Sequence, residues 1–366
     1  MSTTLFVAIG LLAVATLLFS RQTVTVDGFF RGQSSDGQAP SLTTLVLSQV
    51  TTWIFARSLM NAAFLGYYYG IAGTLAYAAY YGSFFTGAVI VDRIRFTHGY
   101  PSIQTFLADR HGRVGTHCYN FVIGVRLLSE VFANLIVIGL IFGAAGGGTY
   151  AIAVIAMAVF GLGYSMMGGL RASLKTDVIQ MAALLIVLVI MTIQAVTGPL
   201  FDAQAIFASS PALTSPGWVL LIVAGLQVLS YPMHDPVMMD RGFIAGRETT
   251  RKSFLHAGWL SIVCILAFGL LGILAGLNKE DGEAMVAALT RLLTTALDLA
   301  SPTAGLIVLG LEGLLEATAA FGEDRAIRAQ GLAALVAATA ARTSAELATR
   351  RGAAPDWDDQ KGAMRD

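Results

Sequence analysis

Charge is scarce in this chain: Asp, Glu, Lys and Arg make up 13% of its 366 residues and cancel to a formal net charge of zero, while 55% of residues are hydrophobic. So little polar surface excludes an ordinary water-soluble fold and points to a chain that crosses a membrane several times. The missing basic excess argues against a nucleic-acid partner. Cysteine is nearly absent too. Cys118 and Cys264 each lie in or beside an apolar run, so no disulfide framework is expected and both read as small packing residues. No nucleophile–base set, metal cluster or phosphate loop stands out, so neither enzymatic chemistry nor a cofactor is expected. The first apolar run, Leu5 to Phe19, has no basic residue ahead of it. It lacks a signal peptide's charged leader and reads as a true span.

With about 20 apolar residues per crossing, spans fall near 3–20, 43–66, 68–91, 117–143, 149–167, 177–198, 217–235 and 255–277, with a ninth run at 303–321. They are lettered A to I. Basic residues crowd alternate loops: Arg21 and Arg31 between A and B; Arg93, Arg95, Arg110 and Arg113 between C and D; Arg171 and Lys175 between E and F; Arg241, Arg247, Arg251 and Lys252 between G and H. The positive-inside rule then sets the chain in the cell membrane with its N-terminus outside and its C-terminal tail cytoplasmic.

Span B carries polar residues where a plain anchor would have none. Arg57, Ser58 and Asn61 sit in the middle of the run from Val50 to Gly66, and a charge at bilayer depth marks a site unless protein neutralises it. Arg57 has three candidate partners: an anionic substrate, Asp235 or Glu130. Span G contains Leu229-Ser-Tyr-Pro-Met-His-Asp-Pro236, where each proline removes a helical hydrogen bond, so G should break there. Two interrupted spans, five apart and opposite in direction, are the mark of an inverted repeat with its site where the breaks meet. His234 and Asp235 can relay protons or simply line a solvated break. Arg126 and Glu130, four apart on span D, share a helix face and can neutralise each other.

Between the two breaks lies Gly168-Gly-Leu-Arg-Ala-Ser-Leu-Lys-Thr-Asp-Val-Ile-Gln180. Its glycines allow a tight turn, its basic residues hold it at the membrane surface, and Thr176-Asp177 can cap the next helix. The wording resembles the sodium:solute symporter family, whose signature at this turn is Gly-Gly-Leu-Lys/Arg-Ala-X-X-X-Thr-Asp-X-X-Gln. Four other stretches are similar to that family: Thr25 to Gly32 before the first broken helix, Ala62 to Gly70 at its end, Ser102 to Gly112 in a cytoplasmic loop, and Tyr231 to Arg241 in the sixth core helix. The likeness covers residues 3 to 277.

The resemblance implies an all-α, polytopic membrane protein of broken-helix, five-plus-five inverted-repeat architecture. It divides the chain into a span and linker over 1–42, a first repeat over 43–198, an incomplete second repeat over 199–321 and a cytoplasmic tail over 322–366. It also implies sodium as coupling ion, held by the carbonyls of Ala56 and Leu59 together with hydroxyls on an eighth core helix. The paired hydroxyls of the family are missing there, and Thr318 is the nearest substitute. Tyr231 matches the aromatic that covers the solute, and Arg57, Ser58, Asn61, His234 and Asp235 complete the expected solute site. The expectation is therefore secondary transport of a small organic solute, driven by sodium entry. A non-transporting solute sensor and an inactive, shortened symporter are the alternatives. A homo-oligomer is compatible with this architecture.

Overall fold

The computed structural model describes residues 25–54, 56–142, 146–283 and 285–292. Span A, the ninth run and the tail from 322 lie outside them, and so does Thr318.

Helix α1 (Val26–Arg31) starts at Thr25, whose hydroxyl accepts the Gly28 N–H at 3.0 Å, and α2 (Leu42–Trp53) starts at Ser41, which accepts from Thr44 in the same way. After α2 the backbone opens at Ile54 and resumes as α3 (Ala56–Tyr80). Then come α4 (Ser83–Val91), prolonged by a π-turn over Asp92–Thr97, α5 (Ile103–Phe142), α6 (Gly148–Thr197), the short α7 (Ala203–Ala208) and α8 (Pro216–Gln227). A 3-10 turn at Tyr231–His234 joins α8 to α9 (Pro236–Gly242), and α10 (Arg247–Leu277) and α11 (Met285–Arg291) follow. No strand occurs among the described residues, and the protein is an all-α polytopic membrane protein.

Three glycines turn sharp corners inside helices: Gly112 in α5, at φ 67°, and two that are tied to neighbouring segments. Gly70 in α3 and Gly169 in α6 have φ of 60° and 57°, a region other residues enter only with strain. At Gly70 the polar groups exposed by the corner are taken up by two serines: Ser209 and Ser210 accept from the N–H groups of Ile71 and Ala72, and Ser210 donates to the Tyr69 carbonyl at 2.6 Å. At Gly169 the Phe29 ring packs so close that an added Cβ would lie 2.6 Å from it.

Helix α10 runs along α3 with almost no side chain between them. A Cβ on Gly66 would meet the Gly269 carbonyl at 2.2 Å, and one on Gly272 would meet that of Ala63 at 2.0 Å. Small residues permit such approach, and dispersion between close backbones is what holds helices together in lipid. Helices α2, α3, α4, α8, α9 and α10 pack into one group, whereas α5 and α6 pair with each other and meet that group mainly along α2 and α10. The outward sides of α5 and α6 are apolar: Phe121, Leu128, Ile152, Ile155 and Ile193 are all more than half exposed. That is a surface made for hydrocarbon.

Three helices among the described residues are long and apolar enough to cross a membrane: Ser58–Thr97, Gly169–Thr197 and Arg247–Leu277. The basic loops gather at one end of the helices. Arg247 binds Asp92 through two bonds of 2.7 Å, and Arg95 donates to the Gly242 carbonyl. At the opposite end Tyr67 donates to the Glu283 carbonyl and the Gly70 corner meets Ser209.

Several boundaries move. Span B continues to the corner at Gly70, span H begins at Arg247, and span F begins just after Gly169 rather than at residue 177. Residues 170–176 contain no proline or glycine and simply continue the helix, so Thr176 and Asp177 cap nothing. Thr176 bonds back to the Ser173 carbonyl, and Asp177 reaches across to α2 and α9. Cys264 packs in the core as expected, but Cys118 is exposed on α5.

Candidate functional site

Both expected breaks are present. In the first, Ile54 is extended at φ −104° and ψ 90°, which detaches the Trp53 carbonyl from the helical ladder. Two hydroxyls take that carbonyl: Ser58 Oγ at 2.8 Å and the Tyr81 hydroxyl at 3.1 Å. In the second, Pro232 and Pro236 bracket the 3-10 turn, and Asp235 is extended at φ −103° and ψ 100°. Asp235 Oδ1 accepts the Met238 N–H at 2.9 Å and so caps α9.

The breaks face each other through aromatic rings. Tyr231 stands edge-on to Trp53, with centroids 5.0 Å apart, and to Tyr80 at 4.7 Å. Trp53 also touches Tyr81 and Phe84. Edge-to-face contact sets a positive ring rim against a negative ring face, a preference that fixes orientation as well as distance.

Arg126, on α5, completes the cluster. Its Nη2 lies 3.0 Å from Asp235 Oδ2 and its Nη1 3.0 Å from His234 Nδ1; it also donates to the His234 carbonyl and the Tyr231 hydroxyl. The guanidinium lies 4.8 Å from the centre of the Tyr231 ring. Nearby, Tyr119 donates to the Met233 carbonyl at 2.7 Å and Thr86 to that of Val228 at 2.6 Å. Asp235 is only 4% exposed, so this carboxylate spends one oxygen on the helix end and the other on a cation.

The structure brings Ser58, Tyr231, His234 and Asp235 into one neighbourhood. Asn61, half-buried, stands three residues beyond Ser58 on α3. Arg57 and Ala56 are in the first turn of α3, but their side chains lie outside the description. Leu59 packs against the core, and the carbonyl that the break detaches is that of Trp53, three residues before Ala56. Arg126 also spans the gap to Asp235, and Glu130, four residues along α5, adds its charge to the same neighbourhood, as their shared helix face implies. Among the described residues no group of three or more His, Cys, Asp or Glu is placed to hold a metal ion. Trp53, Tyr80, Tyr81 and Tyr119 were not legible as site residues, because they look like ordinary membrane aromatics until the breaks are brought together.

No family model matches the sequence, and no curated protein matches it. A solved structure does resemble the fold: the substrate-bound, outward-open state of a Na+-coupled sialic acid symporter, with a TM-score of 0.63 over 86% of this chain and 70% of that one. At 14% identity the likeness is one of fold, and the fold is sodium-symporter-like.

Proposed function

We propose that this chain is a cation-coupled secondary transporter that carries a small organic solute through the space where the two breaks meet. The observation that supports it most is the 5.0 Å approach of Trp53, at the end of α2, to Tyr231, inside the second break. Two interrupted helices facing each other offer polar backbone at mid-depth, where an unbroken bundle would offer only apolar side chains. In this reading Tyr231 covers the solute, and Ser58, Asn61, His234, Asp235 and Arg57 line its site. The fixed positive charge of Arg126 favours a solute with a carboxylate, as sialic acid has, which would compete with Asp235 for the guanidinium.

Sodium is the proposed driving ion. Carbonyl oxygens of Ala56 and Leu59, with a hydroxyl such as that of Thr318, are the hard, uncharged ligands such a cation takes. The basic loops would face the cytoplasm. Purified protein in proteoliposomes, under inward and zero sodium gradients, is the test, with sialic acid, amino acids, other carboxylates and sugars as solutes. Sodium-dependent uptake of one of them is expected, together with loss of solute-induced thermal stabilisation in Tyr231→Ala and Ser58→Ala. Absence of sodium-dependent uptake for the whole panel would overturn the proposal.

A further inference from the structure

Helix α5 serves the site with one side only. Past the corner at Gly112, Tyr119, Ile123, Arg126 and Glu130 recur at helical spacing and look inward. Tyr119 and Arg126 bond to the second break, and Ile123 is 8% exposed. The opposite side carries a second strip at the same spacing: Arg113, His117, Asn120, Phe121, Leu128 and Phe132. All six are exposed, the last three by 72%, 73% and 64%.

This strip changes character along its length. Its two basic residues stand one turn apart at the end where the basic loops gather, an amide follows, and the rest is apolar. From Phe121 to Phe132 the helix rises roughly 16 Å at 1.5 Å per residue, about half of the ~30 Å hydrocarbon core. Read from headgroup to chain end, a phospholipid has the same order: charge, ester, one leaflet of hydrocarbon. The Arg113 guanidinium can grip a phosphate with two parallel bonds, and His117 keeps at least one N–H donor in either protonation state. Among the described residues of α5, no acid opposes them on this side. Glu130 lies on the inner face, Asp109, before the corner, accepts from the Tyr100 hydroxyl, and the paired helix α6 has no acid before Asp177. The sign of the charge therefore selects an anionic headgroup, because a zwitterionic one would bring its own cation up to Arg113.

We propose that this outer side of α5 binds one anionic glycerophospholipid, its phosphate on Arg113 and His117, its ester region at Asn120 and an acyl chain along Phe121, Leu128 and Phe132. The bound lipid lies on the back of the helix whose front supplies Arg126, and so braces the ion pair with Asp235 from behind. Such a lipid is independent of whether the chain transports a solute, and binding alone tests it.

Full-length, delipidated protein in uncharged detergent is titrated with phosphatidylglycerol, with phosphatidylcholine of the same acyl chains and with inorganic phosphate, and its thermal midpoint is followed. Phosphatidylglycerol should raise the midpoint, because a ligand that binds the folded state stabilises it. The other two should have little effect at equal concentration. In Arg113→Gln/His117→Ala the phosphatidylglycerol concentration that gives half the rise should increase about fivefold or more, since a basic residue near anionic lipid contributes about 1 kcal/mol. Both side chains are exposed, so the midpoint without lipid should not move. Arg251→Gln, which removes an exposed charge from α10 near the same end, should bind lipid as the parent does. Equal affinity in the parent and the double variant would overturn the proposal, as would an equal rise with phosphatidylcholine. An equal loss in Arg251→Gln would overturn it too, because it signals diffuse attraction to a basic surface. A rise with phosphate alone would put a free anion at the site, and efficient oxidative cross-linking of two copies through Cys118, exposed beside His117, would put a second chain there; either outcome rules out the lipid.

Discussion

Arg126 and Asp235 meet at 3.0 Å although 109 residues separate them, and the same carboxylate caps α9 through its other oxygen. Asp235 therefore couples helix end, ion pair and aromatic cluster. Replacing Arg126 by Met leaves that carboxylate buried without its cation and should destabilise the protein by about 3 kcal/mol. Asp235→Asn keeps a capping oxygen and should cost less. Thermal unfolding in detergent checks both, and a cost below about 0.5 kcal/mol for Arg126→Met would show that the ion pair is unimportant.

The Trp53 carbonyl gives a second test. Ser58→Ala or Tyr81→Phe removes one of its two hydroxyl donors, at about 1 kcal/mol each. The double variant should cost more than the sum, because it orphans a buried acceptor. Strict additivity in denaturation midpoints would show that the two donors act independently.

The contact of α3 with α10 is one of backbones. Gly272→Ala would push a methyl group into the Ala63 carbonyl and should cost about 1–3 kcal/mol. Gly124→Ala, on α5 with open space around it, should be neutral or stabilising by about 0.5 kcal/mol, since alanine is the better helix former. Thermal midpoints of the two variants compare directly.

Acid should loosen the segment leading into α11. Arg291 donates to Glu283 at 2.7 and 3.0 Å and the Glu280 N–H adds a third bond, which holds the Glu283 carboxyl down at about 2. A depressed carboxyl stabilises the folded state above its unfolded value, about 4.3, and that contribution disappears as pH falls toward 2. Amide exchange over residues 278–291 should therefore keep its protection from pH 7 to 5 and lose it between about 4.5 and 2. In Arg291→Gln the loss should be smaller and complete at higher pH, because the folded carboxyl then lies nearer its unfolded value. Identical profiles for the two proteins would refute the assignment.

Much of the fold was legible because its signals are local. Pro232 and Pro236 announced the second break, Arg57, Ser58 and Asn61 drew attention to the first, and loop charges sorted the chain's corners into the two ends that the structure shows. Long-range pairings were not legible. Arg126 and Glu130 stand four apart, so spacing joined them, whereas the approach of Asp235 depends on how α5 lies against the second break. Asp177 followed a glycine turn and so resembled a cap, yet the helix had begun at residue 170 and its carboxylate was free to reach α2 and α9. Local rules find a polar residue its neighbours in sequence, and a protein with interrupted helices adds partners from far along the chain.

The two hydroxyls on the Trp53 carbonyl also bear on how an ion would be received. An opening in a helix that supplies its own donors needs no guest to exist, so the chain can fold and rest empty. A cation that reached that oxygen, next to the proposed Ala56 and Leu59 carbonyls, would have to displace Ser58 or Tyr81, and its apparent affinity would fall by the work of doing so. Tyr81→Phe, by removing one competitor, should then tighten any such binding while slowing release.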